Sequence, residues 1–208
     1  MTAIIDYGVG NLFSLVSSFS RIGEEAQITA DKETIEKAER IILPGVGAFC
    51  DAAEKLRNSG LVPVLMNEIK RGKPVLGICL GMQLLFEKSY EYGEHEGLSL
   101  LKGVIKPISD VAENVKIPHM GWNSLSFTKG VHPLFKYIKE GDYVYFVHSF
   151  FASDCDDSVI AETDYGAPLT AACAQKNIMG CQFHPEKSGE VGLNILRAFC
   201  EMKEGAIC

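Results

Sequence analysis

Apolar and polar positions alternate in blocks along the first half of the chain. Ala3-Ile4-Ile5-Asp6 reads as a short buried strand, and Tyr7 to Gly10 as a glycine turn. Asn11 can cap a helix running to about Arg21, with Gly23 ending it. Residues 26–30 form a second apolar run, and residues 40–43 a third that leads into Pro44-Gly45-Val46-Gly47. Helical periodicity follows over 48–57 and 62–71, then the apolar run 74–78. Strands that alternate with helices predict a mostly parallel sheet with helices on both faces.

The pattern changes after residue 99. Short β-type runs dominate at 104–107, 143–147, 159–162, 169–174 and 178–182, and a helical pattern closes at 189–201. No repeat or linker interrupts the chain, so one domain over 1–208 is expected, an α/β core with a mixed or antiparallel extension.

Composition narrows the classes. The 208 residues are 47% apolar, enough for one substantial core, and the net charge of −7 argues against a nucleic-acid partner. No apolar stretch approaches the roughly 20 residues that span a bilayer. The N-terminus shows no basic region and no cleavage site of a secretory signal. The seven cysteines (50, 79, 155, 173, 181, 200 and 208) include no C-x-x-C pair. That speaks against a disulfide framework and a zinc site, and for free, mostly inert thiols in a reducing cytoplasm. Neither a metal nor another cofactor is expected.

Cys79 is the exception among these thiols. It ends the strand Val75-Leu76-Gly77-Ile78, between Gly77 and Gly81, and helical periodicity begins at once with Met82, Leu84, Leu85 and Phe86. A strand that delivers a side chain into a sharp turn before a helix has the logic of a nucleophile elbow, with sulfur in place of oxygen. Glycines allow the tight turn, and a helix start favours thiolate. The segment alone also admits a structural cysteine at a strand end. His184-Pro185-Glu186 follows the last strand and offers a base with a carboxylate to orient it. His148, at another strand end, is a second candidate base without a carboxylate nearby in sequence. Pro44-Gly45-Val46-Gly47 reads either as an ordinary turn or as a loop whose N–H groups stabilise an oxyanion. Gly8-Val9-Gly10 lacks the third glycine of a dinucleotide fingerprint, since residue 13 is Phe. Pro118-His119-Met120-Gly121-Trp122-Asn123 holds the single Trp and reads as a packed turn or a binding surface. His95 and His132 read as solvated loop residues.

Together these residues resemble the class I, triad-type glutamine amidotransferases. Gly77-Ile78-Cys79-Leu80-Gly81-Met82-Gln83 matches a G-x-C-x-G-x-Q nucleophile signature, and His184-Pro185-Glu186 an H-x-E signature about a hundred residues later. Within that family the chain is most similar to the glutaminase subunits of imidazole glycerol phosphate synthase. Asp6-Tyr7-Gly8-x-Gly10-Asn11, Pro44-Gly45-Val46-Gly47-x-Phe49 and the hexapeptide 118–123 carry this likeness. The resemblance implies Cys79 as nucleophile, His184 as base and Glu186 as orienter. It implies oxyanion donors at Leu80 and Val46, and substrate contacts at Gly47, Gln83, Ser149 and Phe150. Phe150 stands where the family often has Tyr. A heterodimer with a (β/α)8-barrel cyclase is implied as well, met by Asn11, Pro118, His119, Met120, Gly121, Trp122, Asn123 and Lys187. Two rivals stay open at this point: a paralogue feeding another synthase, and a non-catalytic or redox-sensing module built on Cys79.

Overall fold

Side chains alternate across a strand, so an apolar run with no polar face needs cover on both sides. That cover is what the first half of the chain supplies. The structure, a computed structural model, describes residues 1–203 and 205; Cys208 lies outside them. In chain order come β1 (Thr2–Ile5), α1 (Leu12–Arg21), β2 (Ala26–Thr29), α2 (Lys32–Lys37), β3 (Arg40–Gly45), α3 (Phe49–Asn58), α4 (Val62–Lys70), β4 (Val75–Cys79) and the single turn α5 (Leu80–Gln83). The rest is β5 (Lys88–Ser89), β6 (His95–Glu96), β7 (Val104–Pro107), β8 (His119–Ser124), β9 (Ser126–Phe127), β10 (Tyr143–His148), β11 (Phe150–Ser153), β12 (Val159–Asp164), β13 (Pro168–Gln175), β14 (Ile178–Cys181) and α6 (Gly189–Cys200).

The main sheet has the order β2-β1-β3-β4-β14-β13-β12-β9. The five strands from β2 to β14 pair in parallel, and the last three add on antiparallel. Two small sheets, β10-β8 and β11-β7-β5-β6, complete the mixed extension. The predicted α/β class therefore holds. Ile5, Ile41 and Leu43 face one apolar cluster with Ile35, Leu56 and Leu65 from α2, α3 and α4. Ile4 and Ile42 face the other, with Phe19 of α1 and Leu196 and Phe199 of α6. Fully burying a side chain of this size contributes about 1.5–3 kcal/mol.

Several local expectations need correction. Asn11 precedes α1 but its side chain makes no capping bond. Asp31, which the periodicity passes over, caps the short α2 by accepting from Thr34 N at 2.8 Å. Five of the six hexapeptide residues, 119–123, lie in strand β8 and not in a turn, and Trp122 is exposed, not in the core. His132 caps the 3-10 turn Pro133–Phe135, its Nδ1 accepting from Leu134 N at 3.1 Å, so it is not simply a solvated loop residue.

Candidate active site

β3 and β4 run side by side, and their register sets Gly45 opposite Cys79. The elbow therefore presses against the end of β3. A Cβ on Gly81 would lie 1.9 Å from the Leu43 carbonyl oxygen, and one on Gly45 would lie 2.6 Å from Gly81 N. These glycines are required by close approach. The unusual backbone belongs to Cys79 itself, with φ 55° and ψ −114°. A non-glycine residue there is strained, and such strain concentrates at functional sites. This corrects the expectation that the flanking glycines take the turn. The expected helix dipole is also slight, because α5 is one turn long before the chain bends away.

β14 lies on the other side of β4 and carries the chain to His184. His184 N donates to Tyr145 O at 2.9 Å, and the Ser188 hydroxyl donates to His184 O at 2.6 Å while accepting from Tyr145 N at 3.0 Å. These bonds fix the segment on β10. His184 Nδ1 lies 2.8 Å from Glu186 Oε1, both side chains being buried. The ring borders the same cavity as Cys79. Burial pushes the His184 pKa down, but its interactions with Cys79 and Glu186 outweigh it and lift the pKa to about 9.

Cys79 and His184 open on a cavity of about 350 Å³. Val46, Gly47, Leu80, Gln83, Ser149 and Phe150 line it, so every expected oxyanion and substrate residue borders one space. Gly47 has φ +95° with nothing near its absent Cβ, so its need for glycine is conformational. His148 also lines the cavity, but its two nitrogens face His119 and the Phe150 carbonyl. It has no free nitrogen to take a thiol proton.

Two residues here were missed in the sequence. Glu91 lines the cavity, and its carboxylate accepts from Phe49 N at the start of α3 at 2.5 Å. It sits in a short acidic loop with no motif to mark it. Gln182 is fully buried, with Nε2 3.7 Å from Cys79 Sγ and Oε1 2.9 Å from Gln83 Nε2. Its position two residues before His184 was a readable signal, since such residues share a side of an extended chain.

Of the expected partner-facing residues, Asn11, Pro118, Met120, Trp122 and Lys187 are exposed, and Gly121 is half-buried. His119 is a correction: it is 3% exposed and packed inward. Asn123 is half-buried and bonded to the Asp164 carbonyl. Alternation along β8 puts these two on the face opposite Met120 and Trp122. Lys187 Nζ stands over the Tyr145 ring, 5.9 Å from its centroid.

Residues 3–202 match the family Glutamine amidotransferase class-I. The chain is 50% identical over 199 residues to Imidazole glycerol phosphate synthase subunit HisH of Lactococcus lactis subsp. lactis, covering 95% of this chain and 96% of that protein. It is also 50% identical over 203 residues to the HisH subunit of Caldanaerobacter subterraneus subsp. tengcongensis, covering 97% and 98%. Among solved structures it is similar to a glutamine amidotransferase, with TM-score 0.74, 19% identity and coverage of 96% and 97%. PurLQS from Thermotoga maritima gives TM-score 0.73 at 21% identity, covering 96% of each chain. At these identities the two structures speak for the fold alone. The family match and the half-identical relatives carry more: this chain belongs to the class I glutamine amidotransferases and, within them, to the HisH subunits of imidazole glycerol phosphate synthase.

Proposed function

We propose that the chain, as one domain, hydrolyses glutamine to glutamate and ammonia through Cys79, His184 and Glu186. The observation that carries this reading is that Cys79 and His184 border one cavity while Glu186 Oε1 lies 2.8 Å from His184 Nδ1. Cys79 Sγ attacks the side-chain amide carbon. His184 takes the thiol proton and returns it to the departing ammonia. Glu186 holds the imidazole in the productive orientation. The oxyanion falls to the N–H of Leu80 and a donor at Val46, each typically worth about 2.7–4 kcal/mol. Water then cleaves the γ-glutamyl thioester. Glu91, a carboxylate on the cavity wall, suits the α-ammonium of glutamine. Gly47, Gln83, Ser149 and Phe150 supply the remaining contacts.

The reading extends to a partner, since the relatives are named as subunits of a synthase. Ammonia passes to a (β/α)8-barrel cyclase in the cytoplasm, which forms imidazole glycerol phosphate and an aminoimidazole carboxamide ribonucleotide. Asn11, Pro118, Met120, Gly121, Trp122 and Lys187 form the docking surface, with His119 and Asn123 supporting it from behind. The exposed apolar side chains of Met120 and Trp122 suit burial against another protein.

The test is Cys79→Ala in the complex. Glutamine-dependent synthesis is lost and ammonia-dependent synthesis persists; glutamine turnover that survives the substitution removes Cys79 from the mechanism. The isolated chain turns over slowly and accelerates when the cyclase and its nucleotide bind.

A further inference from the structure

β8 has two faces of opposite character. Met120 and Trp122 are 61% and 54% exposed. His119 is buried, stacked against Phe146 and Tyr165 with ring centroids 4.8 and 4.0 Å away. From His119 a line of hydrogen bonds leads to the cavity. Its Nδ1 lies 2.9 Å from His148 Nε2, and His148 Nδ1 lies 2.9 Å from the Phe150 carbonyl oxygen. Gln83 Nε2 donates to that same oxygen at 3.1 Å and to Gln182 Oε1 at 2.9 Å. Gln182 Nε2 reaches Cys79 Sγ at 3.7 Å. At the outer end Asn123 Nδ2 donates to the Asp164 carbonyl at 2.8 Å and lies 3.3 Å from His119 Nε2.

Elementary chemistry fixes the direction of every bond. A carbonyl only accepts, so His148 Nδ1 carries a hydrogen. A neutral imidazole carries one, so His148 Nε2 is an acceptor and His119 Nδ1 donates to it. His119 Nε2 then accepts from the Asn123 amide, whose nitrogen is identified by its bond to Asp164 O. A second proton on either ring would set two N–H groups against each other. Burial acts in the same sense, and holds His119 at about 4 and His148 at about 3.

We propose that the neutral His119–His148 pair positions the Ser149–Phe150 wall of the glutamine site and ties strand β8 to Cys79 through Gln83 and Gln182. Neither ring has a nitrogen left for acid–base work, so both are positioning residues. The Phe150 carbonyl accepts from two directions, which pins the Phe150–Phe151 peptide at the end of that wall. A displacement of β8 at its exposed face must break a directional bond or move that peptide. The catalytic meaning of the pair rests on the glutaminase reading above; its geometry does not.

Two measurements on the full chain test the pair. The first is steady-state glutamine hydrolysis in the cyclase complex for His119→Phe, which keeps a stacking ring and deletes the donor to His148. Its KM for glutamine rises about tenfold, the worth of one buried hydrogen bond, while kcat stays within about threefold. His119→Asn, with an amide near the Nδ1 position, restores KM to within about threefold of wild type. An unchanged KM in His119→Phe, or an equal rise in both variants, overturns the proposal. The second is the nitrogen-15 spectrum of the wild-type histidines at pH 6. Both rings are expected neutral with hydrogen on Nδ1; a cationic ring or an Nε2–H tautomer at either residue overturns the proposal. The spectrum decides the matter if His119→Phe does not fold. It also stands if wild type fails to hydrolyse glutamine, a result that would refute the glutaminase reading alone.

Discussion

Gly81→Ala probes the contact that sets Cys79, the proposed nucleophile, against the 44–47 loop, the proposed oxyanion site. The new Cβ would lie 1.9 Å from Leu43 O, 2.8 Å from Leu43 C and 3.0 Å from Pro44 C. Real Cβ contacts stay above 3.0 Å, so the elbow must retreat from β3 by about 1.1 Å, the difference between 3.0 and 1.9. The obstacle is backbone on both sides, and no side chain can swing away. Overpacking of this kind costs typically 1–3 kcal/mol, and we take about 3. For a domain of this size that lowers the melting temperature by about 6–12 °C. A misplacement near 1 Å also costs about a hundredfold in turnover, because Cys79 moves relative to Val46 and His184. The control is Gly60→Ala. Gly60 has φ +69° with open space around its Cβ, so it suffers only the left-handed strain of about 1–2 kcal/mol and keeps wild-type turnover. Thermal melts and glutamate release in the complex read both variants. If Gly81→Ala melts within about 3 °C of wild type and turns over within threefold, the close-approach account is wrong.

Three further outcomes are expected. Lys73 is 3% exposed, with Nζ 2.6 Å from Glu68 Oε2 and 2.8 Å from the Ile35 and Glu36 carbonyls. Lys73→Met should cost about 3 kcal/mol in urea unfolding, and Lys73→Met/Glu68→Leu should regain part of it, since the buried Glu68 charge would otherwise keep only the largely exposed Arg71, 3.2 Å away, as its ionic partner. His184 is raised from 6.5 to about 9, so its stabilisation is complete below about pH 6.5 and lost as pH rises through about 9. The stability advantage of wild type over His184→Gln should therefore shrink between pH 6.5 and 9.5 in denaturant titrations; an advantage that grows would contradict the assigned pair. Trp122→Ala should leave the melting temperature within about 1 °C and weaken cyclase binding by about tenfold or more in titration calorimetry.

Much of the architecture was legible in the chain itself. Apolar runs such as Ile41–Leu43 and Val75–Ile78 have no polar face, which marks strands covered on both sides. The helical stripes of α1, α3, α4 and α6 supplied the cover. The elbow and the His184–Glu186 pair were readable because each is local: a few residues whose types and spacing already state the chemistry. The short strands β5, β6, β9 and β11 were not readable, since two to four residues carry too little periodicity.

What the sequence determined by itself was therefore the α/β class and the local motifs around Cys79, His184 and Glu186, the residues proposed as nucleophile, base and orienter. What the tertiary structure decided was which surfaces those residues meet. Cys79 and His184 become neighbours because β14 pairs with β4 across a gap of about a hundred residues. Glu91 enters the cavity because Phe49 N holds its carboxylate. The hexapeptide divides into an outward pair and an inward pair because β10 lies beside β8 in one register, with His148 opposite His119. No local pattern encodes that division. A side chain's periodicity says that it has a face, and only the non-local partner strand says which face is buried and which bonds it can make.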